Sequence, residues 1–248
     1  MPLRPPVSSF WTRLLLYLHL GFCALACCGY AEAPETFAQA LKRLHTEVTP
    51  TALIQALSDP RNEVRALAAA QLAEMKVTDA LPQIVRAAQD EGDLRTQVNI
   101  AAAATWLGSD QGLLILKNIC VNPAVSAYVR IDAARHVFDE QDDFCFQSLV
   151  EVISLSSETD ERISALSLAS QIRPKTEAEE KTVLRLALNA LDDQDIRLRL
   201  QACDALRWID HANAIDPLRR AAAREREATV REQMVSVLSF LQGEHSSH

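Results

Sequence analysis

A helical pattern of apolar residues begins near residue 64 and recurs along most of the chain. In residues 59–75, DPRNEVRALAAAQLAEM, a turn signal precedes Val64-Arg65, and small or apolar residues then stand 4, 8 and 11 positions after Val64. This spacing places them on one face of an α-helix. Because alanine dominates the face, neighbouring helices can approach it closely. The pattern predicts a helix that is covered by other helices.

The Val64-Arg65 pair marks a repeat. Equivalent positions, here called marker positions, are 64, 96, 129, 161, 198 and 230, so the steps are 32, 33, 32, 37 and 32 residues. A second apolar segment follows each of the first five marker helices, and the longest step coincides with residues 173–180, RPKTEAEE. A period of this length predicts stacked helical hairpins.

The repeat predicts an all-α fold, an α-solenoid of about six hairpins. Only 5% of the residues are aromatic and six are glycine, and the Ala, Leu, Arg, Glu and Gln content favours helix over sheet. We predict a capping hairpin over residues 32–57, the repeat array over 58–241 and a flexible tail over 242–248.

Two segments, DPRNEVRALAAAQLAEM and DIRLRLQACDALRWI, resemble the HEAT repeat family, in the short bacterial form also seen in phycobilin lyases. The resemblance covers roughly residues 58–241. It implies a right-handed superhelix of paired helices with an extended concave face.

Residues 1–31 have the features of an export signal. Arg4 and Arg13 precede a 15-residue apolar run, and Gly29 and Ala31 form a small-x-small cleavage site. We therefore predict a chain that is cleaved after Ala31 and exported to the periplasm or the extracellular space. Two alternatives remain open, a lipid on Cys28 and an uncleaved membrane anchor.

Charge and cysteine content narrow the functional classes. Without residues 1–31, which carry two basic residues and no acidic ones, the net charge is −10, and this disfavours nucleic acid as a partner. The remaining cysteines, Cys120, Cys145 and Cys203, predict neither a disulfide framework nor a metal site. Cys120 closes one second helix and Cys145 opens the next, so we predict no bridge between them.

No motif in the sequence indicates catalysis. Histidine is never followed by glutamate, so the chain lacks the iron-binding His-Glu dyads of deoxyhypusine hydroxylases, which share the repeat architecture. A phosphate-binding glycine loop and a nucleophile elbow are also missing from the sequence. The acidic segment at 139–144, DEQDDF, lacks the glycine and terminal glutamate of an EF-hand loop. We predict a non-enzyme without a cofactor; the alternative is an enzyme or lyase that handles a small ligand on the concave face.

Charged residues recur beside the markers. Acids stand five positions before four of them, at Asp59, Glu91, Asp193 and Glu225, and arginine stands one position after five of them, at Arg65, Arg130, Arg162, Arg199 and Arg231. Ala124 and Ser156 interrupt the acidic column. We predict that each acid caps its helix and that the arginine of a neighbouring unit reaches it, forming a structural ladder.

The predicted function is a scaffold or adaptor of the cell envelope that binds an extended protein partner; a membrane is involved only through the N-terminal segment. Candidate contacts on the exposed sides of the second helices are Arg86, Lys117, Arg185 and Arg219. Aromatic residues ten positions after three markers, Trp106, Trp208 and Phe240, either form a docking patch or cover the turn into the second helix.

Overall fold

The computed structural model describes residues 34–140, 143–172 and 176–245. Of residues 244 and 245 it describes only the backbone. The predicted export signal lies outside these residues. Thirteen α-helices occur in the described part of the chain, in the order α1 Phe37–Arg43, α2 Pro50–Ala56, α3 Asn62–Glu74, α4 Leu81–Asp90, α5 Leu94–Trp106, α6 Asp110–Val121, α7 Ala127–Asp139, α8 Phe146–Leu155, α9 Thr159–Gln171, α10 Glu177–Ala190, α11 Ile196–Ile209, α12 Ile215–Arg224 and α13 Ala228–His245. One-turn 3₁₀ helices, Thr78–Ala80 and Ala212–Ala214, lead into α4 and α12.

The six marker helices, α3, α5, α7, α9, α11 and α13, pack on one another in chain order. The residues four positions after the markers are all buried, as the helical pattern predicted: Ala68, Ile100, Ala133, Ala165, Ala202 and Met234. Alanine at four of these six positions lets the helix axes come close together. The marker helices therefore form one continuous layer, and the predicted all-α solenoid is confirmed.

The even-numbered helices form the second layer. From α2 to α12, each packs extensively on the marker helix that follows it, whereas packing on the preceding marker helix is equally extensive only between α5 and α6. The hairpins thus run from an even helix to the next marker helix, one helix out of phase with the sequence interpretation. Six hairpins result, and α1 stands ahead of the first.

Gly112 explains the close contact between α5 and α6. A Cβ atom at this position would lie 2.7 Å from the Ala101 carbonyl oxygen and 2.9 Å from the Thr105 amide nitrogen. Any larger residue would therefore push the two helices apart. The Thr105 hydroxyl donates a hydrogen bond to the same Ala101 oxygen at 2.8 Å, so the polar group at this contact is satisfied.

Side-chain caps fix several helix starts. Thr49, Asp93, Ser109 and Asp195 each accept a hydrogen bond from a backbone N–H in the first turn of α2, α5, α6 and α11. Thr176 and Glu179 form a capping box at α10. These contacts satisfy amides that have no partner within the helix.

Across the described residues, none of the helices has both the length and the apolar character that crossing a bilayer requires.

Candidate functional site

Three arginine–carboxylate pairs connect successive hairpins, and we call each of them a rung. Arg65 holds Glu91 with two hydrogen bonds of 2.7 and 2.8 Å, and Arg199 holds Glu225 with two of 2.8 and 3.2 Å. Arg162 donates a single bond of 2.8 Å to Asp193. In each rung the arginine belongs to a marker helix and the acid to the turn ahead of the next marker helix. The structure thus brings together the residues of three predicted ladder pairs.

The rung acids shape their own turns but do not cap helices. Glu91, Asp193 and Glu225 each accept a hydrogen bond of 2.9 Å from the backbone N–H two residues later. The caps are instead Asp93 and Asp195, which stand three positions before their markers. The prediction that the acids five positions before the markers cap their helices was therefore wrong, because their side chains stop at the turn.

The rungs stabilise the charged form of their acids. The hydrogen bond from Arg65 lowers the pKa of Glu91 below its usual value of 4.5. Burial would raise the pKa of Glu225, but hydrogen bonds from Arg199 and the Glu227 amide outweigh it, and the net shift is downward. Both carboxylates remain ionised at neutral pH and keep their arginine partners.

No rung forms at either end of the ladder among the described residues. At the N-terminal end, Asp59 is held by Arg61 of the same turn at 2.9 Å, and this hydrogen bond lowers the pKa of Asp59 to about 2. At the C-terminal end, Arg231 donates to the Glu225 carbonyl at 3.0 Å. No carboxylate pairs with Arg231 among the described residues.

The ladder is also interrupted in the middle. Gln97 replaces arginine and donates to the Ala88 carbonyl at 2.8 Å. For Arg130, which is only 8% exposed, the next position of the acidic column holds Ser156 rather than an acid. It donates instead to the Cys120 carbonyl at 3.2 Å, to the Ser148 hydroxyl at 2.7 Å and to Glu151 at 3.0 Å. A buried hydrogen-bond network therefore takes the place of a rung.

A disulfide joins Cys120 to Cys145 beside this network, with the two Cα atoms 5.9 Å apart. The prediction of no bridge was wrong, because it assumed that α6 and α8 lie side by side and place these cysteines at opposite ends. Instead, α8 begins beside the last turn of α6, where Lys117 Nζ also lies 5.2 Å from the centre of the Phe144 ring. Cys203 is a free, buried thiol, and burial raises its pKa to about 12.

The predicted partner contacts do not converge on one spot. Arg86, Lys117, Arg185 and Arg219 lie on α4, α6, α10 and α12, and all but the half-buried Lys117 are exposed. Arg86 pairs with Asp90 at 3.6 Å, and Arg219 pairs with Asp216. The contacts therefore form a row along the even-helix layer.

The three aromatic candidates differ in exposure. Trp106 and Phe240 are partly buried against the core, and Arg207 lies 5.0 Å from the centre of the Phe240 ring. Trp208 is 66% exposed. The column thus packs at two positions and presents an open indole ring at the third.

Two open hollows lie between α4 and α6. One has a volume of about 550 Å³ and is lined by Pro82, Arg86 and Gln111, and the other, of about 330 Å³, is lined by Ile115 and Asn118. Gln89 borders both, so together they form a shallow groove that also reaches Leu94 and Gln97 of α5. Within the described ranges, no three His, Cys, Asp or Glu side chains are grouped as a metal site would require. Two residues of the acidic segment at 139–144 fall outside those ranges.

Residues 50–136 match a family model that describes HEAT repeats. Residues 50–136 therefore carry HEAT repeats. The match starts at α2 and ends in α7, and the predicted resemblance is thereby confirmed. No curated protein matches the chain.

Several solved structures are similar to this chain at low identity. An engineered protein is 14% identical, with a TM-score of 0.49 over 78% of this chain and 96% of that one. Human deoxyhypusine hydroxylase is 15% identical, with a TM-score of 0.35 over 78% and 84%. The CpcE–CpcF complex of phycocyanin lyase from Nostoc sp. PCC7120 is 16% identical, with a TM-score of 0.38 over 88% and 99%.

Proposed function

We propose that this chain is an exported, non-catalytic scaffold that binds an extended protein partner along its even-helix layer. The observation that carries the proposal is the row of exposed basic side chains on α4, α10 and α12, together with the groove that Arg86 borders between α4 and α6. A repeat array presents such a row as one long surface, because each unit contacts only its neighbours. An extended segment can engage several of these positions at once.

The shifted pKa values of three ladder acids and of Cys203 fit a structural role. Glu91, Glu225 and Asp59 have lowered pKa values, and each is held by an arginine and by backbone amides of its own turn. Cys203 is buried with a raised pKa, so its thiol is a poor nucleophile at neutral pH. These perturbed groups are explained by packing without a substrate.

The disulfide supports the proposed export. Disulfides persist in oxidising compartments such as the periplasm and the extracellular space, and are rare where cellular thiols keep proteins reduced. The bridge between Cys120 and Cys145 therefore fits the secretory pattern of residues 1–31. Cleavage after Ala31, a lipid on Cys28 and an uncleaved anchor differ in the N-terminus of the final protein.

Crosslinked capture of the tagged full chain from its own cell envelope tests the proposal. We expect one stoichiometric protein whose crosslinks map to α4, α6, α10 and α12, and an N-terminal mass that identifies the processed form. Arg86→Glu combined with Arg185→Glu should reduce capture, whereas Lys76→Glu, on the turn after α3, should not. A co-purifying small molecule without a protein partner would favour the alternative, an enzyme or lyase acting on a small ligand.

A further inference from the structure

The last marker helix exposes a face that is buried in every other unit. Five positions after the marker, the side chains of the first five units are at most 1% exposed, whereas Val235 in α13 is 51% exposed: the buried ones are Ala69, Ala101, Ala134, Leu166 and Cys203. Within the described residues, no helix after α13 stacks on this face. We call the surface formed by Arg231 and Val235, one helical turn apart, the end face.

The end face also carries an incomplete rung. Arg231 occupies the position of Arg65 and Arg199 and makes the same backbone contact as Arg199, a bond to the carbonyl of the preceding rung acid. Arg65 and Arg199 each also hold a carboxylate with two hydrogen bonds. The exposed guanidinium of Arg231 therefore retains the donors that a carboxylate takes elsewhere.

The charge of the last hairpin differs from that of the chain. The whole chain has a net charge of −8, but the exposed charged residues over 215–235 are five arginines and three acids, namely Arg219, Arg220, Arg224, Arg226, Arg231, Asp216, Glu227 and Glu232. A basic end on an acidic protein attracts an acidic partner. Terminal repeats that serve only as caps usually present a polar outer face, which Val235 interrupts.

We propose that the end face binds a helical hairpin of a partner protein, with a glutamate or aspartate in its turn. The acid would contact Arg231 as Glu225 contacts Arg199, and a small apolar residue of the hairpin would cover Val235. The internal rungs supply the geometry, and charge complementarity selects the acidic turn. This inference rests on the proposed function, since both require a protein partner, but it concerns a different surface.

A photo-crosslinking residue placed at position 235 of the full chain, in its native envelope, tests the inference. A second version carries the crosslinker at Gln83, on the exposed side of α4. We expect an adduct at position 235 with a protein whose crosslinked segment is a helical hairpin with an acid in its turn. Arg231→Glu should reduce this adduct about tenfold, because a charge-assisted pair becomes a repulsive one. Changing the partner's acid to arginine should then restore it.

Lys76→Glu is the matched control, because it reverses an exposed charge on the turn after α3, outside both proposed surfaces, and should leave the adduct at 235 intact. Arg231 is exposed, so its variant should melt at the same temperature as the parent protein. Three outcomes would overturn the inference: no adduct at 235, an adduct with a lipid or a second copy of this chain, or an adduct unchanged by Arg231→Glu. Adducts at 83 alone would leave the proposed function standing, whereas a lack of adducts at both positions would overturn both.

Discussion

From α3 to α5, and again from α9 to α13, rungs between arginine and carboxylate connect the hairpins, whereas around α7 a disulfide and a buried arginine network do so. The acidic column is interrupted at Ala124 and Ser156, on either side of α7. In the same region Cys120 and Cys145 are joined, and Arg130 bonds to the Cys120 carbonyl. The comparison shows that a repeated contact can be replaced locally by non-repeated chemistry without breaking the stack.

Removing the disulfide should have the largest effect on this comparison. We expect Cys120→Ala with Cys145→Ala to lower the free energy of unfolding by about 3 kcal/mol, since the bridge closes a loop of about 25 residues. Urea unfolding measures the loss. Dithiothreitol should destabilise the parent protein similarly and leave the variant unchanged. Hydrogen exchange should rise in α6–α8 and stay unchanged in α11–α13; a uniform rise would contradict a local role.

Removing the Arg130 network should have the second-largest effect on the free energy of unfolding. Arg130→Met removes hydrogen bonds to the Cys120 carbonyl, the Ser148 hydroxyl and Glu151, of which the first two are buried, so we expect a loss of about 2 kcal/mol in urea unfolding. Arg135→Met, on the same helix and half-buried, is the matched control and should cost clearly less. Equal losses in the two variants would show that the network adds nothing specific.

Breaking one outer rung should lower the free energy of unfolding somewhat less than removing the Arg130 network. Arg199→Met should lower the free energy of unfolding by about 1.5 kcal/mol, because a partly buried, two-bonded pair with Glu225 is lost. A double-mutant cycle with Glu225→Gln isolates the coupling between the two side chains. Breaking the exposed pair between Arg197 and Asp160 should leave the melting temperature unchanged. If both pairs behave alike, burial does not set the strength of the rungs.

Lowering the pH should destabilise the parts of the array that the rungs connect before the part around α7. This is the smallest effect that we expect. Glu91 and Glu225 have pKa values lowered below 4.5, so their rungs contribute stability above that pH. The contribution is lost as the pH falls through their folded-state values. The melting temperature should therefore drop below about pH 5, and less steeply in Glu91→Gln with Glu225→Gln. An identical slope in parent and variant would exclude these rungs as the cause.

Much of the fold could be predicted from the sequence because helical phase has a direct consequence for burial. Positions four after the marker are buried in all six units, from Ala68 to Met234, since one face of each helix must meet its neighbours. The rung residues could be predicted from their fixed distance to the markers. The pairing of each even helix with the next marker helix could not be predicted, because an apolar face does not show which of two neighbouring helices it packs on more extensively.

The disulfide and the caps escaped prediction for different reasons. The contact between Cys120 and Cys145 depends on where α8 starts relative to α6, and residue spacing does not encode that displacement. The caps have a signal in the sequence, since Asp93 and Asp195 stand three positions before their markers. The acids five positions before the markers recur more often, and the cap role was therefore predicted for them instead. For the proposed binding residues, helical phase predicted the exposure of Arg86, Arg185 and Arg219, whereas their distance from one another depends on the stacking of the even helices.

The bond between Cys120 and Cys145 also determines how the array responds to a pulling force. Stacked hairpins lengthen when neighbouring units separate slightly, and each unit adds its own small extension. A covalent link cannot extend in this way, so the end of α6 and the start of α8 stay at a fixed distance. Under tension we therefore expect the hairpins on both sides of the disulfide to separate slightly, while the part from α6 to α8 keeps its length. A partner bound at one end of the array can then move without stretching the middle.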